Sequence, residues 1–305
     1  MRMFRTLALG ASLLVLVCAC ATGGGSKPSI KIGSDGFDEA RVMAEVYAQV
    51  LEKAGYTVDR AGVGLGTRDV TNAALWSGQI DLKPEYIGSG LAKGFGGTPT
   101  NDPAKNQAEL QAKEAEKGIT VLGYTPGQDT NALVVRKETA DQYNLAKWSD
   151  LTAVADKLKW GLATDCPTSP VCAGALKDSY GIDTTKLQVT LLDACSSAMD
   201  DALKNKTVDV AELCSTGPEI IVNGWVRLDD DKKTQPADAI APIVRNDFLA
   251  KTDKTAFSKL LDDVSAKIDT STLAELYKEV SVDKKDIKDV ARAWLQANGF
   301  LPTAS

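Results

Sequence analysis

The chain has 305 residues, 44% hydrophobic and 25% charged, which supplies apolar material for one large core or two smaller ones and argues against a disordered chain. Its 35 basic and 41 acidic residues leave a net charge of −6, so the positive field that holds nucleic acids is missing. There is no histidine, which removes the commonest proton-transfer catalyst.

The N-terminus reads as an export signal. Met1-Arg2-Met3-Phe4-Arg5 is basic, and Leu7–Val17 is apolar but short of the roughly 20 residues that span a bilayer. Leu16-Val17-Cys18-Ala19-Cys20 then resembles a bacterial lipobox, with an aliphatic residue three before the acylated cysteine and a small one directly before it. Cys20 fits, with Val17 and Ala19 in those places; Cys18 fits poorly. Residues 1–19 are expected to be removed and residues 20–28, with Gly23-Gly24-Gly25-Ser26, to form a lipid-anchored linker. The mature chain is then extracytoplasmic, attached to the bacterial cell membrane by its lipid alone. Loss of residues 1–19 takes away Arg2 and Arg5 and no acid, so the mature chain is more acidic still.

From Ile30 to Leu91 strands and helices alternate. Ile30-Lys31-Ile32 is a short strand that breaks at Gly33-Ser34-Asp35-Gly36, and Glu39–Ala54 follows as a helix. Val42, Val46 and Val50 recur every four residues beside Met43, Tyr47 and Leu51, a broad stripe that must lie on a sheet. Asp35 or Asp38 is placed to cap this helix, and Gly55 to end it in a left-handed conformation. Tyr56–Asp59 reads as a strand, Gly62–Gly66 as a loop, Thr67–Ser77 as a helix stopped by Gly78, and Ile80–Leu82 as a strand. The alternation implies an α/β fold on a parallel sheet, in which ligands bind beyond the carboxyl ends of the strands. Three loops meet that description: Gly33–Phe37, Gly64–Thr67 and Pro84–Ser89.

Ala104–Lys117 reads as an exposed helix and Thr120–Leu122 as a strand, and Gly123-Tyr124-Thr125-Pro126-Gly127 punctuates the chain as a hinge. A second α/β block follows: strands at Asn131–Val135, Leu158–Ala163, Leu187–Leu192 and Val208–Leu213, and helices at Ala173–Tyr180 and Ser197–Lys204. Gln235-Pro236 suggests a crossing back, with Ala239–Val244 rejoining the first block and the remainder helical, Asp269 and Asp283 starting helices. The lobes are thus expected at 29–125 with 236–305, and at 126–235. The five tryptophans, Trp76, Trp148, Trp160, Trp225 and Trp294, fall within or beside these elements and read as packing residues.

Exported cysteines form disulfides, and four remain beyond Cys20. Of three pairings, Cys166 with Cys172 and Cys195 with Cys214 is favoured; the second pair follows two strands expected to be neighbours. Without histidine or paired Cys-x-x-Cys motifs, no metal and no cofactor are expected. Gly62-Val63-Gly64-Leu65-Gly66-Thr67 lacks the ending of a P-loop and the spacing of a dinucleotide fingerprint, and no activated nucleophile is evident, so a non-enzymatic protein is expected.

Several segments resemble the substrate-binding proteins of ABC importers for glycine betaine, choline and related osmoprotectants. They are Ile30-Lys31-Ile32-Gly33-Ser34 with Phe37 and Glu39, Gly64-Leu65-Gly66-Thr67, and Ser77–Leu82 running into Pro84-Glu85-Tyr86-Ile87-Gly88. Thr130–Val135, Lys206–Val210 and Val282–Asp286 extend the likeness over nearly all of the mature chain. The resemblance implies a two-lobed periplasmic-binding-protein fold of type II that closes on a ligand by hinge motion. It also implies delivery of a small quaternary amine, such as glycine betaine or choline, by a monomer to a membrane permease and its ATPase.

In members that bind betaines, an aromatic cage surrounds the quaternary ammonium by cation–π attraction. Tyr86 matches a cage tyrosine and Ser89 a hydroxyl contact, whereas Asn131 and Cys214 stand where other cage tyrosines occur and Asp35 where some members carry a lysine. Asp35 facing the cleft would attract a cation. The ligand set implied is Ser34, Asp35, Thr67, Tyr86 and Ser89 from the first lobe, with Asn131, Ser215 and Thr216 from the second. A different small cation, an amino-acid-like solute, or a ligand-sensing lipoprotein are the alternative readings.

Overall fold

The computed structural model describes residues 27–303, so the export signal and Cys20 lie outside the described residues. The strands are β1 (Ser29–Asp35), β2 (Thr57–Gly66), β3 (Leu82–Tyr86), β4 (Ile119–Val121), β5 (Asn131–Val135), β6 (Lys159–Ala163), β7 (Gln188–Leu192), β8 (Val210–Cys214), β9 (Val226–Arg227) and β10 (Ile240–Arg245). They form two five-stranded sheets, ordered β2-β1-β3-β10-β4 and β7-β6-β8-β5-β9. The chain passes from the first sheet to the second after β4 and returns at β10, so two segments cross between the lobes. Gln128 and Ala239 pair antiparallel where the crossings meet. Among the described residues no helix is long and apolar enough to cross a membrane.

Both sheets are mixed, not parallel. β1 runs parallel to β2 and β3, but β10 is antiparallel to β3 and β4. In the second sheet β6 is parallel to β7 and β8, and β5 is antiparallel to β8 and β9. The alternation of strand and helix holds within each lobe, and the crossing segments break it, because a strand entering a sheet from the far lobe need not follow a helix.

Three loops expected from their glycines and prolines are wholly or partly strands; β1 does not break at Gly33 but pairs with β2 through Asp35. Gly62–Gly66 continues β2, with register shifts against β1 that absorb Gly64 and Gly66 at positive φ. A Cβ at Gly62 would lie 2.5 Å from Ile80 Cγ2 and 3.0 Å from the Ile32 carbonyl, so the pairing needs glycine there. Pro84 sits in β3, a central strand, because it stands opposite Pro242 of β10; two residues without N–H share one rung of the ladder. Ile87–Ser89 is then a single helical turn, followed by a π-helical turn at Gly90–Gly94.

The helix α1 (Asp38–Lys53) is buried on nearly every side, since it is covered by the first sheet and by the C-terminal helices Thr270–Ser281 and Ile287–Ala297. That explains Glu45 and Gln49 in its core: Gln49 bonds Glu45 and the Lys288 carbonyl, and Arg60 reaches Glu45 at 2.7 Å. Neither Asp35 nor Asp38 caps it; the N-cap is Phe37, with no side-chain bond, and Asp38 pairs with Arg41. α2 (Arg68–Ser77) ends at left-handed Gly78 as its sequence requires. The last helix starts from Asp286 rather than Asp283, which is held by Lys278. Trp160, Trp148 and Trp225 are buried and Trp76 and Trp294 are packed against the cores.

The disulfides are Cys166–Cys172 and Cys195–Cys214. The strands before Cys195 and Cys214, β7 and β8, are not neighbours; both flank β6. The second bridge therefore spans the carboxyl edge of the sheet.

Candidate ligand-binding cleft

A cavity of about 440 Å³ opens between the lobes, bounded by Phe37, Glu39 and Tyr277 on the first-lobe side and by Asp129, Thr216 and Glu219 on the other. Phe37 and Glu39 reach it because α1 begins at the carboxyl end of β1, and Asp129 because it lies on the first crossing segment. β3 ends at the same edge, which brings the Tyr86 hydroxyl to donate to Glu39 Oε1. Tyr86 is only 4% exposed; its ring backs Phe37 at 5.6 Å, while Phe37 is 43% exposed and forms the aromatic wall. A larger cavity of about 570 Å³ lies beside Cys166–Cys172, but it draws its lining from the second lobe alone and has no convergence of acids with aromatic rings.

The cleft is acidic in a specific way. Glu39 is 1% exposed and its Oε2 has no well-aligned hydrogen-bond partner. Burial, and then the charge of Asp129, pushes its carboxyl up to about 8, against the donors Tyr86 and Thr216. Thr216 stands near both Glu39 and Asp129, easing the two carboxyls without giving Glu39 Oε2 a bond of good geometry. Asp129 is raised too, by burial of its carboxyl, while Thr216 and Arg227 oppose the shift. Asp238, on the returning segment, accepts from Ser89 Oγ at 2.6 Å and from the Gly88 and Ser89 amides; burial still lifts it to about 6. Tyr277 is raised by burial and then by Glu39.

Of the residues expected to bind ligand, Thr216 lines this cavity, and Ser89 and Asn131 meet in an adjoining one of about 190 Å³ that also contains Asp129, Asp238 and Lys93. Ser215 ties the crossing segment to β8, accepting from the Thr130 amide and donating to the Gln128 carbonyl. Ser34 is buried between Gly64 and Asp35 and supports the β1–β2 irregularity. Thr67 precedes α2 as an exposed N-cap and lines neither cavity.

Asp35 does not face the cleft. Its carboxylate accepts from Thr71 Oγ1 at 2.5 Å and pairs at 3.2 Å with Lys83, a fully buried lysine that also holds Thr71, Asn72 and Glu85. The acidic groups that border the cleft are instead Glu39, Asp129 and Asp238. Phe37 and Glu39 were within reach of the sequence, since both belong to the segments that carry the family resemblance. Asp129 and Asp238 carry no motif; only the pairing of the crossing segments brings them together. Tyr277 sits on a helix whose spacing shows a packing face and nothing more.

Among the described residues, Cys166, Cys172 and Glu212 form the one group with metal-ligand proximity, and both sulfurs there belong to a disulfide.

Residues 28–297 match the OpuAC family model, described as the substrate binding domain of an ABC-type glycine betaine transport system. The chain is 27% identical to the glycine betaine-binding protein YehZ of Escherichia coli K12, with 96% of this chain and 98% of that protein aligned. It is 28% identical to the carnitine transport binding protein OpuCC of Listeria monocytogenes, over 98% of this chain and 96% of the relative. Apo YehZ from E. coli superposes with a TM-score of 0.78 at 26% identity, covering 90% of this chain and 99% of YehZ. The cleft is thus that of a type II solute-binding fold, and the chain belongs to the OpuAC family of ABC-importer substrate-binding proteins.

Proposed function

We propose that the protein is a lipid-anchored, non-enzymatic, monomeric binding protein that captures a small quaternary amine or a related cationic or zwitterionic solute outside the membrane and hands it to an ABC permease. Its lobes are 29–125 with 236–305, and 126–235. The observation that carries this reading is the buried Glu39 carboxyl, whose Oε2 has no well-aligned donor, at a cavity walled by Phe37 and Tyr277. A carboxylate among aromatic faces attracts a cation by charge and by the ring quadrupoles, and a methylated ammonium also suits the apolar walls. The relatives point the same way, since the names of two of them specify glycine betaine and carnitine.

Lys93, with Ser89 and Asn131 in the adjoining cavity, supports a zwitterion as well as a simple cation, because a carboxylate placed there would meet an ammonium and hydrogen-bonding groups. Isothermal titration with choline, glycine betaine and carnitine tests the proposal. Saturable binding of at least one is expected, and Phe37→Ala should weaken it by about 1 kcal/mol, roughly fivefold. Absence of binding by all of these amines would overturn it.

A further inference from the structure

We propose that capture of a cation in this cleft is coupled to release of a proton from the Glu39–Asp129 pair. The inference rests on the cation-binding reading above and adds a linkage to it. One oxygen of Glu39 is occupied by the Tyr86 hydroxyl, and the other is buried without a well-aligned donor in a residue that lines the cavity. A buried, ionised carboxylate in that position carries the full cost of desolvation. Asp129 brings a second carboxyl to the same cavity from the crossing segment. Burial of Glu39 and the charge of Asp129 both oppose its ionisation, so the empty cleft keeps a proton on the pair until a cation joins them.

The groups facing the pair come from each side and do not act alike: Asp238 raises Glu39, whereas Tyr86 and Thr216 favour its ionised form. Tyr86 comes from the end of β3, Tyr277 from the helix Thr270–Ser281, Thr216 from the turn after β8 and Asp238 from the returning segment. Asp200 and Glu219 add acid on the second-lobe side of the cavity. Among the nearby cations, Arg227 acts within the pair by favouring ionised Asp129, Arg68 acts on Asp238, and no cation is among the groups that shift Glu39, which places the retained proton on Glu39.

The sign follows from the empty state. Glu39 is raised to about 8, so at pH 7 it is mostly protonated in the empty cleft. A permanently charged ammonium favours the ionised form and lowers that value, so binding expels a proton below about pH 8 and none well above it. Affinity therefore strengthens as pH rises, by up to about tenfold per unit, and levels off above about pH 8. An acidified exterior weakens capture.

The test is calorimetric titration of the mature protein with choline, glycine betaine, carnitine and tetramethylammonium at pH 7 in buffers of low and high ionisation enthalpy. The expected result is an apparent enthalpy that varies with the buffer with a slope near one released proton, a slope that vanishes by about pH 9.5, and loss of the slope in Glu39→Gln. Asp129→Asn gives the same readout should Glu39→Gln fail to fold. Binding with no buffer dependence at pH 7 would overturn the coupling and leave the binding proposal standing. No heat or displacement with any of the four amines would overturn both.

Discussion

At the floor of the cleft a phenol donates to a carboxyl whose other oxygen has no aligned donor, and this sets how substitutions at Tyr86 should read. Tyr86→Phe keeps the ring that supports Phe37 and removes one donor from Glu39. Affinity for a quaternary amine should fall by roughly 1 kcal/mol, and the pH at which affinity levels off should move up, because the lost hydrogen bond had favoured ionised Glu39. Dissociation constants measured from pH 6 to pH 9 check both effects. An unmoved midpoint would leave Tyr86 with a packing role alone. Asp35 shows why residue type and position in a motif do not settle a role. An acid after a strand and before a helix can cap, bind or pair, and here the buried Lys83 opposite it on β3 decides for pairing.

The elements that form the site are few and tightly apposed. The turn after β3 carries Gly88, where a Cβ would come within 2.5 Å of the Ala237 carbonyl and 3.1 Å of Asp238 Oδ1. Gly88→Ala should therefore push the returning segment away, weaken the two amide bonds to Asp238, and destabilise the protein by about 1–3 kcal/mol, read from the urea midpoint. Ligand affinity should fall in the same variant, since Asp238 borders the cleft. Gly127, on the other crossing segment, lies equally close to the backbone of Asp269, so both crossings are fitted to their neighbours by the absence of a side chain. β2 and β3 teach a related lesson. Their glycines and prolines are punctuation when only neighbours in sequence are considered, and they become strand residues once a partner strand supplies the bulge or the opposing proline.

For the whole molecule, the bridge between Cys195 and Cys214 ties the loop after β7 to the carboxyl end of β8 at the wall of the cleft, with Cys195 in a left-handed backbone conformation. Its partners are 19 residues apart, for which loop closure gives about 3 kcal/mol of stability. Replacing both cysteines by serine should cost about that much in a denaturant titration and also reduce ligand affinity, because the loop before the helix Ser197–Lys204 loses its tether. Stability lost without any change in affinity would make the bridge purely structural. The sequence alone was sufficient for the α/β alternation, through apolar periodicity and helix stops, and for the family, through the segments that resemble it; cysteine count gave two disulfides, and the structure decided which of the three pairings forms. The mixed strand directions, the inward turn of Asp35 and the meeting of Glu39 with Asp129 were decided by the tertiary structure. Each depends on segments far apart in the chain that become neighbours only when the crossings close the two lobes around a shared cavity.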